Sequence, residues 1–204
     1  MNQTNFAYAD DEPTVFTIEE YLTFERNALD RHEYYEGAIV KMAGASERHN
    51  IITGNIFVEL RSRLRTSDCR VYTGEMRTRI QKTRCVYPDV VAVCGERKFE
   101  DKEFDVLLNP NVIVEVLSKS TKARDKNEKL DSYLTLESVT DYVLVEQDRV
   151  RVEHYGKQSK DNWKFHVSTK LEQNLILAIL PVELPLAAIY TDVELPTNLE
   201  LVED

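Results

Sequence analysis

Long apolar runs are absent from this chain of 204 residues. Nothing approaches the roughly 18 consecutive apolar side chains that a membrane-spanning helix needs, so no membrane partner is expected. Cysteine is scarce. Cys69, Cys85 and Cys94 are odd in number and lack paired CxxC spacing, which argues against a disulfide framework or a zinc ribbon and fits reduced thiols. His32, His154 and His166 are too dispersed to define a zinc cluster. The first residues, Met1-Asn2-Gln3-Thr4-Asn5, carry neither a basic patch nor an apolar stretch and do not read as a signal peptide. These absences favour the cytoplasm. No repeat, coiled coil or low-complexity segment occurs. No G-x-S-x-G elbow surrounds Ser118, so it is not read as a nucleophile.

Charge is plentiful but uneven. The formal net charge of -10 is concentrated at the two ends: residues 1–30 hold seven acids against Arg26, and residues 183–204 hold acids with no Lys or Arg. Between them lie two basic runs, Arg61 to Arg84 and Lys119 to Lys129. Both are open to two readings, phosphate contacts or solvated faces with local ion pairs.

The pattern of elements predicts an α/β fold, a mixed sheet flanked by helices. Residues 1–14 read as a loose leader. Residues 15–204 read as a single domain, with 156–204 as a C-terminal extension of its core. Thr17-Ile18-Glu19-Glu20 has the form of a capping box and starts a helix expected to run to about residue 29. Ser46 is a candidate N-cap for a second helix over 47–65, where His49, Ile52, Ile56, Leu60 and Leu64 share a face. Gly54 either weakens that helix or admits a close neighbour. Strands are expected at 38–42, 70–72, 76–80, 86–94, 111–117, 142–146, 150–155 and 163–167, with a helix at 124–136 and a short helical piece near 186–190.

Two of those strands carry a carboxylate inside an apolar, β-branched run. Tyr87-Pro88-Asp89-Val90-Val91-Ala92-Val93 places Asp89 just after a proline, at a strand entrance. Val112-Ile113-Val114-Glu115-Val116-Leu117 points Glu115 to the face of Ile113 and Leu117. An enclosed carboxylate is costly unless it is paired, hydrogen-bonded or metal-bound. Glu115 is therefore either half of a buried salt bridge or a ligand to a hard cation shared with Asp89, with the Val116 carbonyl as a further oxygen donor. Glu33 is a third candidate ligand, reaching the same cation directly or through water from the end of the first helix, or else an ordinary surface residue, with Glu36 competing for any role. His49, in the first turn of the second helix, either assists a carboxylate, phosphate or water, or is a helix-end histidine satisfied by backbone. Lys129 lies four residues from Asp125 and from Tyr133. It would offset the repulsion of clustered acids, or simply pair with Asp125.

The ordered set His32-Glu33-Tyr34-Tyr35-Glu36-Gly37, Met42 to Asn50, Tyr87-Pro88-Asp89-Val90, Val114 to Thr121, then Asp125, Lys129, Tyr133 and Asp141 to Val145 resembles a bacterial family of restriction-endonuclease-like proteins in the PD-(D/E)XK nuclease superfamily. The resemblance spans about residues 16 to 155. It implies a restriction-endonuclease-like sheet core, Mg²⁺ or Mn²⁺ as cofactor, Asp89 and Glu115 as principal metal carboxylates, and Glu33 as an additional acid. Leu117 occupies the position where the superfamily usually has Lys. The family's pattern supplies Lys129 from the next helix, with Lys119 as the fallback.

The leading expectation is a Mg²⁺-dependent endonuclease acting on DNA as a homodimer. Two alternatives stand beside it: a non-catalytic nucleic-acid-binding or assembly protein on the same scaffold, motivated by Leu117, and a hydrolase of a small phosphate ester.

Overall fold

The computed structural model describes residues 15–118, 125–178 and 182–196. The predicted leader, Lys119 and most of the second basic run lie outside those residues.

Helix α1 (Ile18–Glu25) starts where predicted. The Glu20 N–H donates to Thr17 Oγ1, and the Glu20 carboxylate accepts the Thr17 N–H. It ends earlier than the spacing suggests. The Asn27 amide folds back onto the Thr23 carbonyl, and Arg26 turns to Asp101 and Asp105. Leu29 is fully exposed, so no apolar contact draws the helix onward. Strands β1 (His32–Tyr35) and β2 (Ala38–Lys41) follow as a tight hairpin. Its two turn residues, Glu36 and Gly37, both have positive φ, as such a turn requires. A Cβ on Gly37 would collide with Val15.

Helix α2 (Glu47–Arg63) is capped by Ser46, whose hydroxyl accepts the His49 N–H, and it buries Ile52, Ile56 and Leu60. Nothing lies within 4 Å of where a Gly54 side chain would begin, so the close-neighbour reading is set aside. Gly54→Ala is expected to raise stability by about 0.5–1 kcal/mol in urea titration, since exposed helical glycine costs that much. No gain would mean that some contact of this backbone needs glycine.

Strands β3 (Arg70–Thr73), β4 (Arg77–Gln81), β5 (Arg84–Val86) and β6 (Val90–Val93) come next. The single strand expected over 86–94 is thus two strands in two different sheets. Pro88 contributes no N–H to a ladder and holds its predecessor extended. Tyr87-Pro88-Asp89 carries the chain from one sheet to the other. After β7 (Val106–Leu107) and β8 (Val112–Leu117), a π-helical turn over Asp125–Lys129 leads into α3 (Leu130–Leu134). The remaining elements are β9 (Asp141–Glu146), β10 (Val152–Ser159), β11 (Asn162–Ser168), β12 (Asn174–Ile176), β13 (Glu183–Pro185) and α4 (Leu186–Ile189).

Two mixed sheets result, β2-β1-β5-β4-β7 and β11-β10-β9-β8-β6-β3, each with one parallel pair, β4 with β7 and β8 with β9. The apolar layer between them takes Ile80, Val86 and Leu107 from one sheet and Val91, Ile113, Leu117 and Leu144 from the other. Val90, Val114 and Val116 face the opposite side of the larger sheet, where α2 and α4 cover them. Helix α1 covers the smaller sheet through Tyr21 and Leu22. The strand period of two therefore assigned the faces of β8 correctly, with Ile113, Glu115 and Leu117 turned inward between the sheets.

One expectation is overturned. Cys69 and Cys94 form a disulfide, and Cys85 alone is free. Strands β3 and β6 run antiparallel with Arg70 opposite Val93, so the two flanking cysteines fall opposite each other, with Cα atoms 3.9 Å apart. A sequence separation of 25 gives no hint of that adjacency. Cys94→Ser is expected to cost about 2–4 kcal/mol in unreduced protein, because the bridge closes a sizeable loop. The cost should vanish under reductant. Three titratable thiols in denatured, unreduced protein would contradict the bridge.

Among the described residues, no helix is long and apolar enough to cross a membrane.

Candidate active site

The inward face of β8 carries one carboxylate among apolar residues, and the surrounding elements answer it. Glu115 is 3% exposed. Its Oε1 accepts from Lys129 Nζ at 3.1 Å and from the Tyr133 hydroxyl at 2.9 Å. Lys129 is itself enclosed. Its ammonium also lies 3.1 Å from Glu33 Oε1 and 3.3 Å from Asp125 Oδ1. Three acids thus surround one cation. The π-helical turn permits this, because it places Lys129 at the junction with α3 while Asp125 and Lys129 both point inward.

Glu33 reaches this cluster from β1, not from the end of the first helix as expected. The chain turns at residues 26–30 and re-enters as an inner strand. On a strand, residues two apart share a face, so Tyr35 accompanies Glu33 and donates its hydroxyl to Glu33 Oε2 at 2.9 Å. Glu36 points elsewhere and pairs with Arg84.

Asp89 stands at the sheet-to-sheet crossing. Its Oδ2 accepts the Val116 N–H at 2.7 Å and lies 3.2 Å from His49 Nε2. Val116 is the residue after Glu115, so this bond fixes the two acids as neighbours. The group of Val116 that Asp89 holds is its N–H; the carbonyl, expected as an oxygen ligand to a cation, takes no part in that bond. The carbonyl remains on the site side, where it contributes to raising the His49 imidazole. Asp89 and His49 retain partial exposure, 19% and 13% for their side chains. The cluster therefore opens to solvent on the Asp89 side.

The electrostatics follow from burial. Desolvation drives the Glu115 carboxyl well above its ordinary range. Lys129 opposes that shift, and the charges of Asp125, Asp89 and Glu33 reinforce it. Burial pulls the Lys129 ammonium down, yet Glu115, Glu33, Tyr133 and Asp125 outweigh it and hold the group well above its ordinary value. The cation is therefore held in its charged form.

For His49, burial again lowers, but the hydrogen bond and charge of Asp89, with Asp125 and Val116, raise the imidazole above 6.5. The His49–Asp89 pair therefore stabilises the fold fully below pH 6.5, and its contribution is lost as pH rises through the raised value. His49→Ala should accordingly destabilise more at pH 6 than at pH 9 in urea unfolding, and Asp89→Asn should lower the imidazole midpoint seen by NMR. An unmoved midpoint would contradict the pairing. His49 Nδ1 is buried with no hydrogen-bond partner among the described residues.

Sequence reasoning missed Tyr35 and Gln147. Gln147, just past β9, lies beside Ser46 Oγ and donates from Nε2 to the Leu117 carbonyl at 3.1 Å. It thereby ties the cap of α2, which carries His49, to the end of β8. Parallel pairing of β8 with β9 makes them neighbours, and single-strand patterns do not encode pairing. Leu117 fills the space between the sheets, so the position of the usual lysine is core. Parts of the first basic run are also internal: Arg77 pairs with Asp105, Arg79 with Glu100 and Arg84 with Glu36. Arg61 and Arg65 remain exposed.

Among the described residues, no group of three or more His, Cys, Asp or Glu is arranged as a metal cage. The donor set still fits a hard cation of a different kind. The contacts above use Asp89 Oδ2 and Glu115 Oε1, which leaves each acid a second oxygen. Magnesium takes one or two carboxylates and keeps several waters.

Comparison with known proteins agrees with this architecture. Residues 18–188 match the Uma2 family, described as "Putative restriction endonuclease". An uncharacterised protein of Synechocystis sp., sll1609, is 35% identical over 150 residues, covering 73% of this chain and 85% of that protein. A second from the same organism, slr1290, is 31% identical over 158 residues, covering 76% and 82%. The crystal structure of a protein described as a putative nuclease of the DUF820 group, from Anabaena variabilis, superposes with a TM-score of 0.71 at 16% identity, covering 86% of this chain and 98% of that one. That likeness shows the fold, a restriction-endonuclease-like mixed α/β arrangement. The chain belongs to the Uma2 family of restriction-endonuclease-like proteins.

Proposed function

We propose that the protein is a divalent-metal-dependent endonuclease that hydrolyses phosphodiester bonds in DNA. The observation that carries this reading is the pairing of Asp89 with the N–H of Val116. It seats one carboxylate of a strand entrance against the strand bearing the enclosed Glu115. Asp89, Glu115 and the Val116 carbonyl would hold Mg²⁺ or Mn²⁺, which when bound supplies Lewis-acid polarisation of the phosphate and neutralises its charge.

The chain's own residues do the rest. Lys129 prevents three acids from repelling one another and fixes Glu115 through a charge-assisted hydrogen bond. Glu33 and Asp125 hold that ammonium in place from the other side. Glu33 is thus a positioning residue in this reading, and Tyr133 orients the same oxygen of Glu115. His49, whose proton affinity Asp89 raises, stands at the open side of the site, where its protonated form would meet an approaching phosphate.

A cytoplasmic homodimer with residues 15–204 as one domain is the assembly we favour, because paired sites address both strands of a duplex. Sedimentation of the pure protein tests it, and a monomer at all concentrations would refute it. One observation favours a second reading: Leu117 is buried core, so the usual lysine is displaced to another element. If Lys129 does not substitute for it, the scaffold binds nucleic acid without cutting. Incubation with plasmid and short duplexes in Mg²⁺ or Mn²⁺ separates the two. Metal-dependent nicking supports the first. Binding in EDTA with no cleavage in either metal supports the second.

A further inference from the structure

An open cleft of about 580 Å³ lies at the β3 edge of the larger sheet, outside the acid cluster. Tyr72, Met76, Phe99 and Phe104 form its apolar walls, with Glu96 and Arg97 at its rim. Phe99 and Phe104 meet edge to face with ring centroids 5.4 Å apart. Phe104 is 63% exposed and sits at φ 56°, a left-handed conformation that a bulky side chain rarely adopts. The fold therefore holds a large aromatic ring toward solvent when local sterics and the hydrophobic effect both oppose it.

The segment that presents these rings is fixed. Arg26 binds Asp101 and Asp105, Arg77 binds Asp105, Arg79 binds Glu100, and the Asn109 side chain bonds the backbone at Glu96 and Lys98. Arg97 has no ion pair among the described residues, so its charge is available to a ligand.

Position supplies the class of ligand. Tyr72 pairs with Val91, and Asp89 lies two residues back along the same strand direction. Strand geometry puts their Cα atoms roughly 8 Å apart. Asp89 itself turns to β8, and Gly95 to Phe104 follow the far end of β6, so a nucleic-acid strand with a phosphate at Asp89 can lay a base roughly two or three nucleotides away in the cleft, provided that the base is unpaired. A cavity of this size accepts a nucleoside, and aromatic faces with an adjacent guanidinium are what bases stack upon.

We propose that this cleft is a stacking subsite for an unpaired nucleobase a few nucleotides from the bond to be cut, so that the preferred substrate is single-stranded or locally melted nucleic acid. The proposal rests on the nuclease reading for its ligand class.

The test uses full-length protein in EDTA and an oligodeoxynucleotide containing 2-aminopurine, either single-stranded or annealed to its complement. Stacking quenches the fluorophore. The single strand is expected to be quenched and to bind about tenfold more tightly than the duplex, and Phe104→Ala should weaken it about tenfold and remove the quench. Phe104 is exposed enough for its truncation to leave the fold intact, which circular dichroism checks. Arg97→Ala is the second variant and should weaken binding while the quench persists at saturation.

Equal quenching of single strand and duplex, absence of any quench, or a Phe104→Ala affinity within twofold of the parent would each overturn the proposal. Metal-dependent cleavage that is indifferent to Phe104→Ala would remove the subsite and leave the nuclease reading standing. Quenching without cleavage in Mg²⁺ or Mn²⁺ would overturn the nuclease reading and, with it, the placement of the base near a bond to be cut.

Discussion

Asp89→Ala is expected to lower metal-dependent cleavage on the order of a thousandfold while leaving the fold in place. Loss of one preorganised electrostatic contact at a reacting phosphate is worth about a hundred- to a thousandfold, and Asp89 does more than one task. It offers the exposed oxygen of the proposed metal pair, aligns the Val116 backbone and raises the His49 imidazole. The structural cost is smaller. Truncation leaves the Val116 N–H without its acceptor, about 1–3 kcal/mol, at a position with access to water. Supercoiled-plasmid nicking in Mg²⁺ and in Mn²⁺, with urea unfolding alongside, measures both quantities. Nicking at the parental rate by a folded Asp89→Ala protein would reject the site.

Lys129→Met is expected to produce the largest stability loss, about 3–5 kcal/mol near neutral pH, because it removes a buried cation from among Glu33, Glu115 and Asp125. The loss should depend on pH in a definite direction. The Lys129 folded pKa is raised, so its contribution to the parent is present below the unfolded value and lost only in strongly alkaline solution. Deprotonation of Lys129 itself therefore adds no pH dependence between pH 5 and pH 8, and the dependence comes from the acids.

Glu115 has a folded pKa above its unfolded one. Its ionisation therefore destabilises the fold as pH rises through the folded value. With Lys129 gone, the opposing charge is gone and the carboxyl rises further. The deficit of the variant should accordingly be large at pH 8 and shrink toward pH 5 as the cluster takes up protons. Adding Glu33→Gln to Lys129→Met should restore part of the stability at pH 8. A deficit of the same size at both pH values, with no rescue, would show that Lys129 contributes through packing and not through charge.

Much of this site is legible in the sequence, for identifiable reasons. A strand's period of two turned Glu115 inward with Ile113 and Leu117, and it lies there. Helical spacing put Asp125, Lys129 and Tyr133 on one face, and all three meet Glu115 or its partner cation. Capping rules located the starts of both long helices, and with the second the place of His49.

What stayed hidden depended on pairing between distant segments. Glu33 was assigned to a helix end because its strand is short and is defined by its partners β2 and β5. Gln147 owes its place to the β8–β9 register, and the Cys69–Cys94 bridge to the β3–β6 register. The apolar run after Pro88 looked continuous with Val86 because both segments are buried, although they belong to different sheets. Charge counting likewise leaves the first basic run open between phosphate contacts and ion pairs, since it cannot tell exposed Arg61 from Arg77, which is committed to Asp105.

The central claim, that Asp89 and Glu115 share one divalent cation, is tested most directly by titrating Mn²⁺ into the protein and following free ion by electron paramagnetic resonance. One bound ion per chain in the parent, lost in Asp89→Ala and in Glu115→Gln while Glu128→Gln, a change on the exposed side of the π-helical turn, retains it, is the predicted result. Binding that survives both substitutions, or a parent that takes up no Mn²⁺, would contradict the account.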